Sequence, residues 1–331
     1  MSKVVNIAID TMGGENSPKK IIDGIEISLK FKKNNFFYLF GDKNLILNEI
    51  NKKKSLSSYC EIINTKDVIS DDESPLSGAK KGKESSMWKA LESLNDNKAD
   101  ICLSAGNTGA LLVISRLVLK TISGINKPAL AGLWPNQNNM NIVLDLGANI
   151  ECTEKNLFDF GCMGSYLFKS IFYKDKPIIA LLNIGLEENK GNEILKKAFA
   201  LFKSTKLKNL DFKGFIEGNH IMDGDVDVIV TDGFTGNIAL KTAEGTANFI
   251  SKSFKSSLNK LSLLLSYKSL KMLKSKFDPR KYNGAILLGL QRPVVKSHGA
   301  TDSIGFAHSI DVCNKIVSGN LIEKIESNLI S

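Results

Sequence analysis

Three short segments concentrate glycine, asparagine, aspartate and threonine directly after apolar, β-branched runs, and the chemistry they suit is the holding of an anion. In the longest, residues 226–230 read as a buried strand. Thr231-Asp-Gly-Phe-Thr-Gly-Asn237 then forms a tight turn, and a helix follows. The first N–H groups of a helix lack backbone acceptors and sit at its positive dipole end, so a glycine-rich turn there attracts negative charge. The same device recurs where residues 101–103 lead into Ser104-Ala-Gly-Asn-Thr-Gly109 and a helical run over 110–119. The two turns align: Ser104 with Thr231, Gly106 with Gly233, Thr108 with Thr235 and Gly109 with Gly236. A third turn, Asp145-Leu-Gly-Ala-Asn149, follows the apolar run 141–144. Any one of these could be an ordinary turn capped by Thr or Asn. Three of them, two sharing a pattern, predict one polar crevice at the carboxyl edge of a parallel sheet, where open α/β sheets take their ligands.

The elements that must position these turns alternate. Strand patterns occupy residues 4–9, 36–40, 61–64, 101–103, 141–144, 177–183, 215–216 and 226–230. Helical patterns begin near Pro18, at a favoured first-turn position, and cover 81–97 and 110–119. Strands separated by helices imply βαβ units and a mostly parallel sheet with flanking helices. With 331 residues, the chain reads as one α/β catalytic unit, or as two lobes meeting at a crevice.

A hydrophobic fraction of 43% and a charged fraction of 24% are those of a globular domain. No run reaches the roughly 20 apolar residues needed to cross a bilayer, and the N-terminus turns polar too soon for a signal peptide. Five scattered cysteines without metal-ligand spacing suggest reduced thiols in the cytoplasm and no metal site. Of the basic residues behind the net charge of +9, only Arg116, Arg280 and Arg292 are arginines. No nucleic-acid-binding signature accompanies that charge. The charge is concentrated in residues 246–277, which hold seven lysines and no acid, with Phe254, Leu258, Leu261 and Leu265 at helical spacing. A basic amphipathic segment of this kind suits an anionic membrane surface or a dimer interface.

Along nearly its whole length the chain resembles the bacterial PlsX-type phosphate acyltransferases. The resemblance rests on Ile9-Asp-Thr-Met-Gly-Gly14, Ser85-Ser-Met87, Ser104-Ala-Gly-Asn-Thr-Gly-Ala-Leu111, Leu144-Asp-Leu-Gly-Ala-Asn149, Leu182-Asn-Ile-Gly185 and Glu188-Asn-Lys-Gly191. It continues through the run from Gly224 to Gly245, Tyr282-Asn-Gly-Ala285 and Val295-Lys-Ser-His-Gly299. Lys127 departs from the pattern, standing where such proteins carry arginine, and lysine lacks arginine's two-pronged fork. The resemblance implies a phosphotransacetylase/isopropylmalate-dehydrogenase-like fold and the reaction of long-chain acyl–acyl carrier protein with inorganic phosphate to give acyl phosphate, without a cofactor. It also implies a homodimer, a cytoplasmic location with peripheral contact with the inner face of the membrane, and delivery of product to a glycerol-3-phosphate acyltransferase.

For phosphate to attack a thioester carbonyl, the protein must hold a multiply charged anion, stabilise an oxyanion and release a thiolate, chiefly by positioning and electrostatics. On that reading the phosphate cradle draws on Gly13, Gly14, Ser104, Gly106, Asn107, Thr108, Gly109, Gly147, Asn149, Gly233, Thr235, Gly236 and Asn237. Lys190 and Lys296 are the candidate cations, and Asp10, Asp145 and Asp232 the orienting acceptors. His298 either moves a proton or caps a turn. Cys102, inside an apolar strand, reads as a buried small residue rather than a nucleophile. A short-chain phosphotransacetylase, an NAD-dependent dehydrogenase on the related fold and a non-catalytic membrane scaffold are the alternatives.

Overall fold

The computed structural model describes residues 4–31, 34–205, 207, 210–257 and 278–329. Most of the basic segment 246–277 therefore lies outside the described residues. The strands are β1 (Val5–Asp10), β2 (Asn35–Gly41), β3 (Cys60–Asn64), β4 (Ile101–Ser104), β5 (Ala129–Pro135), β6 (Met140–Leu144), β7 (Ile178–Asn183), β8 (Asp211–Glu217), β9 (Val228–Val230), β10 (Ala285–Leu288) and β11 (Val294–Lys296). They form one sheet in the order β3-β2-β1-β4-β11-β10-β5-β6-β9-β7-β8. Helices α1 (Lys19–Phe31), α2 (Lys43–Ile50), α3 (Pro75–Lys81), α4 (Ser86–Asn95), α5 (Thr108–Leu119), α6 (Glu154–Phe172), α7 (Glu193–Ser204), α8 (Gly233–Ser257), α9 (Ser303–Ser318) and α10 (Leu321–Leu329) flank it.

Both faces of the sheet are buried, as the continuous apolar strands require. Alternate residues enter different cores. Ile7 and Ile9 join Ile101, Leu103, Val295 and residues of α1, α6 and α9 in one. Ala8, Cys102 and Val294 join residues of α4, α5 and α8 in the other.

The mostly parallel architecture is as expected, but a single carboxyl edge is not. Strands β3, β2, β1, β4 and β11 are mutually parallel, and so are β6, β9, β7 and β8. Between the two sets run three antiparallel pairings, β11–β10, β10–β5 and β5–β6. An odd number of reversals makes the two parallel sets point in opposite directions. The carboxyl ends of β4 and of β6 and β9 thus lie at opposite edges, and the predicted single crevice resolves into two clusters.

Strands β5, β10 and β11 carry no strand signal strong enough to be read from sequence. The last two are only four and three residues long and follow glycine-containing turns. The helix expected over 81–97 is interrupted: α3 ends at Lys81, and Ser85 begins α4 anew by accepting the Trp88 N–H at 3.2 Å.

Helix α9 closes the first face against α1, with Phe306 fully buried beside Gly24. Phe306→Ala should lower unfolding free energy by about 3–5 kcal/mol, seen as a lower urea midpoint at unchanged slope.

Candidate active site

The register of three neighbouring strands creates one row of polar side chains. Asp10 is paired with Ser104, and Ser104 with Lys296, at the carboxyl ends of β1, β4 and β11. Each stands two residues beyond a residue of the second core, namely Ala8, Cys102 and Val294, so all three side chains emerge on the α4–α5 face. Strand spacing places neighbours in the row about 5 Å apart at the backbone.

Asp10 is buried, and each carboxylate oxygen accepts a hydroxyl: Ser86 Oγ at 2.6 Å and Ser104 Oγ at 2.7 Å. Burial raises its pKa; the two hydroxyls, the Met12 N–H and Lys296 oppose that. Ser104 Oγ in turn accepts the Gly106 N–H at 3.1 Å, which ties the row to the turn ahead of α5. A Cβ on Gly13 would lie 2.5 Å from Gly106 N and 2.6 Å from Asp10 Oδ2, so the Gly13–Gly14 loop packs directly on that turn only because a side chain is absent.

Lys296 is buried and donates to Ala105 O at 3.3 Å and to Ser297 O. Burial, joined by repulsion from Lys20, lowers its pKa to about 8, against the pull of Asp71 and Asp10. Lys20, on the first turn of α1, is likewise buried and donates to Gly299 O. His298 stands at the exposed rim two residues past Lys296, with its N–H held by Asn283 Oδ1 at 2.9 Å. Partial burial and the Lys296 charge hold its pKa below the usual histidine value. Its Nδ1 accepts the Ala300 N–H at 3.2 Å, which assigns the proton of the neutral ring to Nε2.

Asn107 caps α5 through the Ala110 N–H at 3.0 Å. Its Nδ2 donates to Asp71 O at 3.0 Å and Glu73 O at 2.9 Å, fastening an acidic strap across the helix start. The Asn107 side chain is therefore engaged within the protein, while Thr108 and Gly109 head the helix.

The second cluster lies at the opposite edge. Asp145 is buried and accepts five hydrogen bonds, from the N–H groups of Leu130, Gly147, Ala148 and Asn149 and from Asn149 Nδ2. The N–H groups of this turn thus surround the chain's own carboxylate. Asp232 caps α8 at the Thr235 N–H, 2.8 Å, and accepts Thr235 Oγ1 at 2.9 Å. Gly233 N donates to Asn149 O at 2.8 Å, and Asn237 packs on Gly147. A Cβ at Gly236 would run into Asp145 O. Lys190 is exposed, in the loop after β7 at this same edge; its carbonyl accepts Asn183 Nδ2 at 3.2 Å.

The model of the family described as fatty acid synthesis protein matches residues 5–324. The chain belongs to this family. Among its relatives, the phosphate acyltransferase of Pelagibacter ubique is 58% identical, over 99% of this chain and 100% of its own. The phosphate acyltransferase of Azorhizobium caulinodans is 40% identical, over 100% and 95%. Among solved structures, a phosphotransacetylase from Streptococcus pyogenes matches with a TM-score of 0.66 at 17% identity, over 98% of this chain and 95% of that one. The EutD phosphotransacetylase from Staphylococcus aureus matches with a TM-score of 0.62 at 16% identity, over 96% and 94%. At these identities the structural likeness is one of fold, and it is the fold that the sequence resemblance implies.

The structure adds Lys20, Ser86, Asn283 and the strap at 70–73 to the residues singled out from sequence. Ser86 belongs to a quoted motif but carried no role there, and nothing in the local pattern separates Lys20 from the chain's many other lysines. Cys102 is fully buried, and burial pushes its thiol well above the usual range, as expected of a packing residue. Lys127 donates to Glu151 O at 2.8 Å, a contact that needs no guanidinium.

Asp145→Asn would place an amide among donors that require an acceptor. It should cost on the order of 3 kcal/mol, measured by chemical denaturation of the purified protein.

Proposed function

We propose that this chain is a phosphate acyltransferase that moves a long-chain acyl group from acyl carrier protein to inorganic phosphate, giving acyl phosphate for the acylation of glycerol 3-phosphate. The relatives' shared activity supports the reaction class. The observation that carries the assignment of the site is the buried Lys296 ammonium beside the α5 N-terminus, with main-chain carbonyls as its hydrogen-bond partners. A buried cation close to the start of a helix, where the dipole also favours negative charge, calls for an anion.

In this reading Lys296 and the first N–H groups of α5, at Thr108 and Gly109, hold hydrogen phosphate, while Gly13, Gly14 and Gly106 let the backbone close around it. Asp10 receives Ser86 and Ser104 and keeps the two walls together; it is a positioning residue. A phosphate oxygen attacks the thioester carbon, and His298 Nε2–H stabilises the developing oxyanion. The C–S bond then breaks, and the proton that left phosphate ends on the carrier thiol. Lys296, held near pH 8, is matched to relay that proton. No covalent enzyme intermediate is needed.

The second cluster serves architecture on this view. Asp145 fixes the turn on which α8 begins, and Lys241 and Glu244 of α8 bring charge to His298 at the first edge. Between Gly233 and Glu244 the helix rises about 16 Å, so Asp232, Gly233, Thr235, Gly236 and Asn237 act at a distance from the phosphate. Exposed apolar side chains at Phe234, Ile238, Ile150 and Ile184 support a homodimer contact near this edge. Lys190 lies at that edge too, apart from the phosphate held beside Lys296. Phe249, Ile250 and Phe254 are exposed on α8 just before the lysine-rich residues 258–277. They support peripheral docking on the anionic cytoplasmic face of the membrane, where a glycerol-3-phosphate acyltransferase would take the product.

Purified protein with palmitoyl–acyl carrier protein and phosphate should yield hydroxylamine-trapped acyl hydroxamate and free carrier thiol in equal amounts. Turnover of acetyl-coenzyme A instead would favour the short-chain reaction. Lys296→Met should reduce kcat/KM for phosphate by about 100-fold or more with circular dichroism unchanged. In the wild type, kcat/KM for phosphate should fall as pH rises through about 8, because Lys296, facing Lys20, Asp10, Asp71 and His298, loses its proton there.

A further inference from the structure

Lys20 is a buried charged group at this edge that the reaction scheme leaves without a task. It comes from α1, in a different part of the chain from β11, yet its ammonium comes close enough to that of Lys296 for the two charges to repel. A Cβ added to Gly14 would lie 2.8 Å from Lys20 Nζ, 2.8 Å from Gly299 O and 2.9 Å from Ala105 O. Gly299 O accepts from Lys20, and Ala105 O accepts from Lys296 at 3.3 Å. The two ammoniums therefore share one small neighbourhood of carbonyls roofed by Gly14, which is itself only half-buried and has φ +79°.

Among the described residues, neither lysine forms an ion pair with a carboxylate. The acids that act on them do so at longer range: Glu15 and Asp71 on Lys20, Asp71 and Asp10 on Lys296. Two buried like charges with only carbonyl partners repel one another and keep most of their desolvation cost, unless an anion enters between them.

We propose that Lys20 is a second cation of the phosphate site, so that the anion is held between an ammonium from α1 and one from β11. The inference rests on the site reading given above. Lysine suits this position because a compact point charge with three donors can serve a carbonyl and a phosphate oxygen together. The arrangement also couples phosphate capture to proton occupancy. Lys20 disfavours the protonated form of Lys296 in the empty site, and a bound dianion would favour it again. Asp71, on the strap fastened by Asn107, is the acid that acts on both lysines, and phosphate would take over its role when bound.

The test compares Lys20→Met, Lys20→Arg and Lys296→Met in the full-length protein, with inorganic phosphate and palmitoyl–acyl carrier protein as substrates. Lys20→Met should raise KM for phosphate about tenfold, the loss of one charge-assisted hydrogen bond, and leave KM for the acyl carrier protein unchanged. It should also move the alkaline limb of kcat/KM for phosphate to higher pH, since Lys296 loses a repelling neighbour, and Lys20→Arg should restore the wild-type limb. A lysine that merely pins the Gly299 turn would lower thermal stability without moving that limb. If Lys20→Met keeps the wild-type phosphate KM and limb while Lys296→Met loses phosphate binding, the role of Lys20 is refuted and the site reading stands. If neither variant affects phosphate KM, the site reading fails and this inference falls with it. Should Lys20→Met not fold, the wild-type protein decides by NMR. The Lys20 Nζ resonance should shift on titration with inorganic phosphate, and a resonance that stays put while that of Lys296 moves overturns the proposal.

Discussion

The pairing of β4 with β1 on one side and β11 on the other is the constraint on which the site depends. Because side chains alternate along a strand, a register slip of one residue in any of the three would send its polar terminus to the opposite core. Register is firmly specified here because both faces of the sheet are apolar and buried. The packing energy of residues such as Ile9, Leu103 and Val295 thus fixes the position of Asp10, Ser104 and Lys296, which contribute little to that packing themselves.

The site gathers charge rather than nucleophiles. Its cysteine neighbour, Cys102, is held protonated by burial, and its hydroxyls donate to a buried carboxylate. Lys296 and Lys20 reach the surface of the core with carbonyl oxygens as their hydrogen-bond partners. Such a constellation fits a reaction whose nucleophile is brought as an anion and whose barrier is lowered by placement and electrostatics.

Three successive antiparallel pairings at the centre of the sheet give the molecule its two edges. They separate turns that look alike in sequence and assign them different work. The Ser104–Gly109 turn faces a buried ammonium. The Asp145 turn closes on its own carboxylate and anchors the helix that crosses back to His298. Similar residue types in similar turns therefore stand beside a buried ammonium in one place and form a rigid helix socket in the other, according to which charge the tertiary structure brings beside them.

Much was legible in the chain itself. The alternation of strands and helices, the mostly parallel sheet, the glycine-rich turns at strand ends and the burial of Cys102 all follow from local composition and period, because these depend on neighbours within a few residues. The resemblance to phosphate acyltransferases was likewise legible in ordered motifs. The strands at 129–135, 285–288 and 294–296 were not, since their extended form is imposed by partners more than a hundred residues away in the cases of β4 and β5. The separation of the turns into two edges, the meeting of Lys20 with Lys296 and the closure of Asp145 on its own turn were decided only by the tertiary structure. Strand direction and charge proximity are properties of long-range pairing, and no local pattern encodes them.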